Sequence, residues 1–186
     1  MVPLTSLLVP IVLSAVIVFL ASFIIHMVLP FHRKDLRKFP KEDELMEVLR
    51  RFDAPPGDYA LPYAGSPAGM KKPEFIDKIN KGPLVLMTLA RGGSFSMGKN
   101  LVLWFLFSAL ISFFAAYVTG RAVGVGTHYL VIFRFVGTIS FMAYSFGLLQ
   151  NSIWYRRNWC ATLRSVFDGL IYGLLTAGTF GWLWPR

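Results

Sequence analysis

The chain has few of the residues on which most catalytic and metal chemistry is built. Among its 186 residues there is one cysteine, Cys160, and there are three histidines, His26, His32 and His128. A lone cysteine excludes an internal disulfide and a zinc site built on spaced thiolates; Cys160 reads as a small apolar filler. Haem and metal ligands must sit at one depth. His26 and His32 fall near one end of the first apolar run and His128 at the opposite membrane face, so no bis-histidine haem pair and no metal site are expected. Acids are also scarce: nine of the ten lie in 31–99, and the exception is Asp168. There is no G-x-S-x-G elbow, H-E-x-x-H pair or carboxylate dyad. Ser94 and Ser96 therefore stand in a loop without a recognisable base, and no cofactor is expected.

What the chain has in excess is apolar length. Its hydrophobic share is 55%, with 17 phenylalanines and a mean hydropathy of +0.54. Four runs, 7–30, 100–119, 128–150 and 161–184, are each near or above the ~20 residues that cross ~30 Å of hydrocarbon as a helix. Continuous apolar runs of this length are helical rather than alternating. The expected fold class is all-α membrane: a four-transmembrane-helix bundle with a small, partly irregular α(+β) cytoplasmic insertion at 31–99, between the first and second spans. The first run lacks a basic n-region and exceeds the apolar length of a signal peptide, so it is read as a retained span.

The formal charge of +9 reads as membrane orientation rather than nucleic-acid binding, because 13 of the 19 bases share 31–99 with nine acids. Basic residues next to spans mark the cytoplasmic side. His32-Arg33-Lys34 through Lys41, then Arg91 and Lys99, then Arg156, Arg157 and Arg164 flank one face, against Arg121 and Arg186 on the other. This predicts both termini outside and 31–99 inside. Trp104, Trp154, Tyr155 and Trp159 then fall at the inner boundary, and Tyr117, Tyr129, Trp182 and Trp184 at the outer one, as interfacial belts.

Within 31–99, Pro40 suits the first turn of a helix over about 40–53. Acids at its start and Arg50 and Arg51 at its end complement the helix dipole. Leu45, Val48, Leu49 and Phe52 make one apolar face, which must cover the membrane surface, the rest of the segment or a partner. Pro55-Pro56-Gly57-Asp58 marks a turn; short elements are expected over 59–63, 74–80 and 84–89. Gly93 to Asn100 nearly spells a phosphate-binding loop, but Asn100 stands where Ser or Thr should hold magnesium. A glycine hinge leading into span two, with Lys99 as a surface anchor, is the simpler reading.

The fourth run holds the most design. Ser165, Gly169, Gly173, Ala177 and Gly181 recur every four residues, a thin stripe that lets another helix come close in lipid. Ser108, Ser112, Ala116 and Gly120 repeat the device in span two, and Gly137, Ser140, Tyr144 and Gly147 share a face of span three. Asp168 lies within the stripe's span, where a carboxyl is expensive without a partner. Arg164, one turn earlier, and His26 are its nearest candidates. Arg134 falls roughly 10 Å below the opposite edge and either snorkels outward or faces Thr138 and Tyr117. Asp168, Arg164, His26 and Arg134 form the candidate buried polar cluster.

Ser14-Ala15-Val16-Ile17-Val18-Phe19, His26-Met27-Val28-Leu29-Pro30-Phe31-His32, Pro56-Gly57-Asp58-Tyr59 and above all Phe167-Asp168-Gly169-Leu170-Ile171-Tyr172-Gly173 through Trp184-Pro185 carry a likeness to a known group. The chain resembles a family of uncharacterised bacterial multi-pass integral membrane proteins. The resemblance implies a bacterial inner-membrane location and supplies no activity. The leading functional expectation is a non-enzymatic accessory or scaffolding component, or a self-associating bundle, whose partners are the lipid bilayer and a second copy or another membrane protein. One alternative is a small oligomeric transporter or channel with Asp168 in its path. The other is a membrane-embedded enzyme that joins His32, Asp168 and the 92–99 loop in one cleft.

Overall fold

A computed structural model describes residues 1–93 and 95–186; Ser94, weighed above as a nucleophile, lies outside the described residues. The chain is mostly helical and divides into two compact units, Met1–Arg37 with Met97–Arg186, and Lys38–Ser96. Among the described residues, four helices are long and apolar enough to cross a membrane, over Leu4–Val28, Met97–Ala122, Tyr129–Ile153 and Trp159–Leu183.

All four belong to the first unit. The first comprises α1 (Leu8–Phe23), preceded by a 3-10 turn and continued by a π-helical turn over Ile24–Val28. After the short helices α2 (Glu42–Phe52) and α3 (Pro73–Lys81) of the second unit come α4 (Met97–Ala122), α5 (Tyr129–Ile153) and α6 (Trp159–Leu183). Side chains satisfy the first free amides of the last two: His128 Nδ1 accepts from Leu130 N–H and Asn158 Oδ1 from Cys160 N–H, as helix starts require. One chain end meets the last turn of α4 and the other the α4–α5 connection. Val2 N–H donates to Gly120 O, Gly126 N–H to Pro185 O, and the Trp184 indole N–H to Gly124 O. Trp184 is thus buried within the bundle rather than standing in a belt. The indole finds a carbonyl there that lipid would not supply.

The small-residue stripe of α6 faces α5 of the same chain. A side chain at Gly169 would run into Tyr144 and Ser145, at Gly173 into the Phe141 backbone, and at Gly181 into the Tyr129 ring, while Ala177 meets Gly137. The partners descend α5 as the stripe ascends α6, as an antiparallel pair demands. Ser152 Oγ donates to Thr162 Oγ1 across the same seam at 2.7 Å. The α4 stripe packs on α1 instead: Ser14 Oγ donates to Ser112 Oγ at 2.9 Å, and Gly120 lies against Val2. With no hydrophobic drive between helices in lipid, close backbones and shared hydroxyls are what hold the bundle. Near the chain ends the interior is apolar, built from Val2, Leu7, Ile11, Ile132, Val136 and Phe180. Toward the other end, Val18, Ile25, Ile111, Tyr144 and Tyr172 form a second cluster.

The second unit contains α2 (Glu42–Phe52), α3 (Pro73–Lys81) and two antiparallel strands, β1 (Gly57–Leu61) and β2 (Val85–Leu89), with Tyr59 opposite Met87. Pro40 does not enter the first turn as expected. It and Lys41 form a turn in which Lys41 adopts a left-handed conformation, φ 55°, and its carbonyl accepts the first helical bond, from Leu45 N–H. Gly69 is the only buried residue among those described in this unit, and the Leu45, Val48 and Phe52 edge of α2 remains exposed.

Candidate functional site

The end of α1 creates the site. The π-turn closes with Leu29 N–H donating to Ile24 O at 3.0 Å. Leu29 is then extended, with φ −80° and ψ 142°, as a residue before proline prefers. Pro30–His32 turns back as a 3-10 helix. The result lays the His32 ring on the His26 ring, parallel within 4° with centroids 4.4 Å apart. Inserted π-turns widen a helix and recur at functional sites. His26 and His32, read from sequence only as lying near one end of the first apolar run, are a stacked pair.

Asp168 meets this pair. Nine residues into α6 and 3% exposed, it sets Oδ2 2.9 Å from His32 Nε2 and 4.0 Å from His26 Nε2. The other nitrogen of each ring is already committed. His26 Nδ1 donates to Ser22 O at 3.0 Å, since a carbonyl only accepts. His32 Nδ1 donates to Asp35 Oδ2 at 2.6 Å. Both rings therefore turn Nε2 toward the same carboxylate.

Arg164 is not the partner of Asp168. Its guanidinium donates to Asp35 Oδ1 and lies over the Phe31 ring, 6.0 Å from the centroid. One turn along a helix brings Arg164 near Asp168 in sequence register, but the chain folding back after Pro30 offers it a carboxylate in better reach. Burial pushes the Asp35 carboxyl upward, and the hydrogen bonds and positive charge of His32 and Arg164 outweigh that, holding it below the usual range. Asp35, absent from the expected cluster, links Arg164 to His32, and His32 leads to Asp168. Arg134 stands apart, exposed on the outside of α5, where an arginine in lipid reaches its charge out to water. It does not join the buried cluster.

A cavity of about 380 Å³ adjoins these groups. All four long helices line it: His26, Trp104 and Phe107, Tyr144 and Gly147, and Asp168, Gly169 and Tyr172. Phe107 and Gly147 are exposed and mark its mouth on the α4–α5 side, whereas Tyr144, Asp168 and Tyr172 are each more than nine-tenths buried. Trp104, expected in an interfacial belt, instead donates its indole N–H to Ser22 Oγ at 2.8 Å and stacks edge-on to Tyr172. Ser165, at the start of the α6 stripe, also lines the cavity and donates to Ala161 O.

Among the described residues, six buried side-chain polar atoms lack a hydrogen bond, and four belong here: His32 Nε2, Asp168 Oδ1, Tyr144 OH and Tyr172 OH. The His32–Asp168 approach is close but not aligned as a hydrogen bond. Native proteins pair nearly all such atoms, and those left over concentrate where something binds or reacts. Ser140 and Tyr144 were legible as one face of span three, but which helix that face meets was not. No protein-family model, curated protein or solved structure matches the chain.

Proposed function

We propose that this is a multi-pass protein of the bacterial inner membrane, with both termini outside and 31–99 cytoplasmic, that binds a lipid-soluble small molecule in the cavity beside Asp168. The observation that carries the reading is the pair of orphaned, buried polar atoms, Asp168 Oδ1 and the Tyr172 hydroxyl, on residues lining a largely aromatic cavity. Each such atom costs about 1–3 kcal/mol while unpaired. A ligand with an apolar body and one or two polar groups regains that free energy and fills a space of the size small-molecule sites have. Orientation rests on the basic residues flanking one end of the spans.

Two other readings have less support. The α6 stripe that motivated a self-associating bundle is spent on α5 of the same chain. A path through one chain would have to cross the apolar packing around Leu7, Ile132, Val136 and Phe180.

Gly147 provides the test, because it lines the cavity at its mouth and a Cβ added there meets nothing within 4 Å. Gly147→Leu is expected to leave the protein folded and to lower the small lipophile retained per chain at least about tenfold, a free-energy loss of about 1.4 kcal/mol. Mass spectrometry of organic extracts from protein purified in mild detergent measures this. Gly124→Ala, also in open space but away from the cavity, should retain it. Equal retention in Gly147→Leu and the unaltered protein would sink the proposal.

A further inference from the structure

We infer that His26 Nε2, His32 Nε2 and the Asp168 carboxylate are the ligands of a divalent first-row transition-metal ion, bound at the edge of the aromatic cavity. One ligand atom from each residue lies within 4.8 Å of the others. Metal–ligand bonds of about 2.0–2.1 Å in a tetrahedral site set ligand atoms about 3.4 Å apart. The present 2.9 and 4.0 Å separations from Asp168 Oδ2 straddle that spacing. Closing the site requires the His26 ring to turn out of the parallel stack so that both Nε2 atoms point at one ion, and that side chain is half exposed.

The surroundings argue for metal more strongly than the spacing does. A metal-binding histidine nearly always donates its other ring N–H to a carboxylate or backbone carbonyl, which fixes the tautomer and aims the lone pair. Both rings do this independently, His26 to Ser22 O and His32 to Asp35. Asp35 is in turn anchored by Arg164, so the orienting carboxylate has its own support. A metal ion held between the rings and Asp168 Oδ2 would balance the buried carboxylate's charge and would occupy the orphaned His32 Nε2. Two imidazoles and one carboxylate suit zinc, iron(II) or cobalt(II) rather than magnesium or calcium. Three protein ligands leave a further position, the pattern of sites that also bind a water or a substrate. His26 and Asp168 both line the cavity, so that position faces it.

The inference stands apart from the cavity's organic occupant, and its test needs no such molecule. The full chain in mild detergent is stripped with a chelator, titrated with Zn²⁺ or Co²⁺, and assayed for metal per chain by mass spectrometry and for the visible bands of low-symmetry Co²⁺. One ion per chain is expected. Cys160→Ser should bind equally, since the lone thiol is exposed and has no part in the site. His26→Gln, His32→Gln and Asp168→Asn should each lose the Co²⁺ bands. Asp35→Asn should weaken affinity about 10- to 100-fold, the effect of removing an orienting carboxylate. Failure of the unaltered protein to take up either ion above a detergent blank overturns the assignment, whatever the variants do. So does full uptake by a folded His32→Gln, Asp168→Asn double variant. Loss of retained lipophile in Gly147→Leu with metal uptake intact would uphold both proposals separately.

Discussion

Gly173→Leu is expected to destabilise the protein by about 3 kcal/mol, the upper end of what overpacking a close-packed interface costs, and to do so without touching any charged group. The reason is what stands opposite. A Cβ at Gly173 would lie 3.0 Å from the Phe141 nitrogen and 3.2 Å from its Cα. Backbone cannot rotate aside as a side chain can, so α5 and α6 must separate, and the contacts at Gly169, Ala177 and Gly181 loosen together. In lipid no hydrophobic gain on the other side compensates. Gly147→Ala is the internal comparison. It sits on the same pair of helices, meets nothing within 4 Å, and should change stability by less than about 1 kcal/mol, within the range of helix propensity alone. Thermal unfolding in mild detergent, followed by circular dichroism, measures both. If Gly173→Leu unfolds together with the unaltered protein, the α6 stripe does not carry the α5 contact.

Arg164→Ala should cost about 2–3 kcal/mol, toward the lower end for breaking a buried pair, because Arg164 is partly exposed. Removing the guanidinium leaves Asp35, only about one-tenth exposed, with His32 as its remaining side-chain partner. The cost therefore comes mostly from the stranded carboxylate rather than from the lost attraction. Asp35→Asn in the Arg164→Ala background should accordingly be far less damaging than the sum of the two single changes, with a coupling on the order of 1–2 kcal/mol for neighbours in one network. Arg164→Lys, which keeps charge but loses the planar fork and its place over Phe31, should fall between. Additive single changes would mean that Arg164 and Asp35 do not act as a pair. A double-mutant cycle on unfolding midpoints decides the matter and also isolates the support that holds His32 in place.

Much of this architecture was legible along the chain because lipid imposes a simple rule. A backbone that crosses hydrocarbon must satisfy its own hydrogen bonds, so uninterrupted apolar runs near Leu4–Val28, Met97–Ala122, Tyr129–Ile153 and Trp159–Leu183 are read as helices from length alone. The four-residue recurrence of Gly169, Gly173, Ala177 and Gly181 likewise showed that α6 packs tightly against something. Periodicity cannot say against what, and a second copy of the chain was as good a candidate as α5. The belt reading of Trp104 and Trp184 met the same limit: position along the chain says nothing of which way a ring turns, and both indoles turn inward to hydrogen-bond acceptors.

The site shows the same division more sharply. Composition singled out Asp168 as the only acid outside 31–99, and the cost of a carboxylate in lipid marked it as needing partners. Its partners depended on a break in a helix. His26 and His32 are six positions apart, and on a regular helix they would point to different sides. The π-turn and Pro30 fold the chain back so that the rings stack, Asp35 comes behind His32, and Arg164 is drawn away from its own helical neighbour. By itself the sequence determined the spans, the packing stripes and the place of the buried acid, because these follow from local composition and helical period. Only the tertiary structure decided which groups meet that acid, because convergence at a site depends on the angle at which the chain re-enters the bundle, and no local pattern encodes that angle.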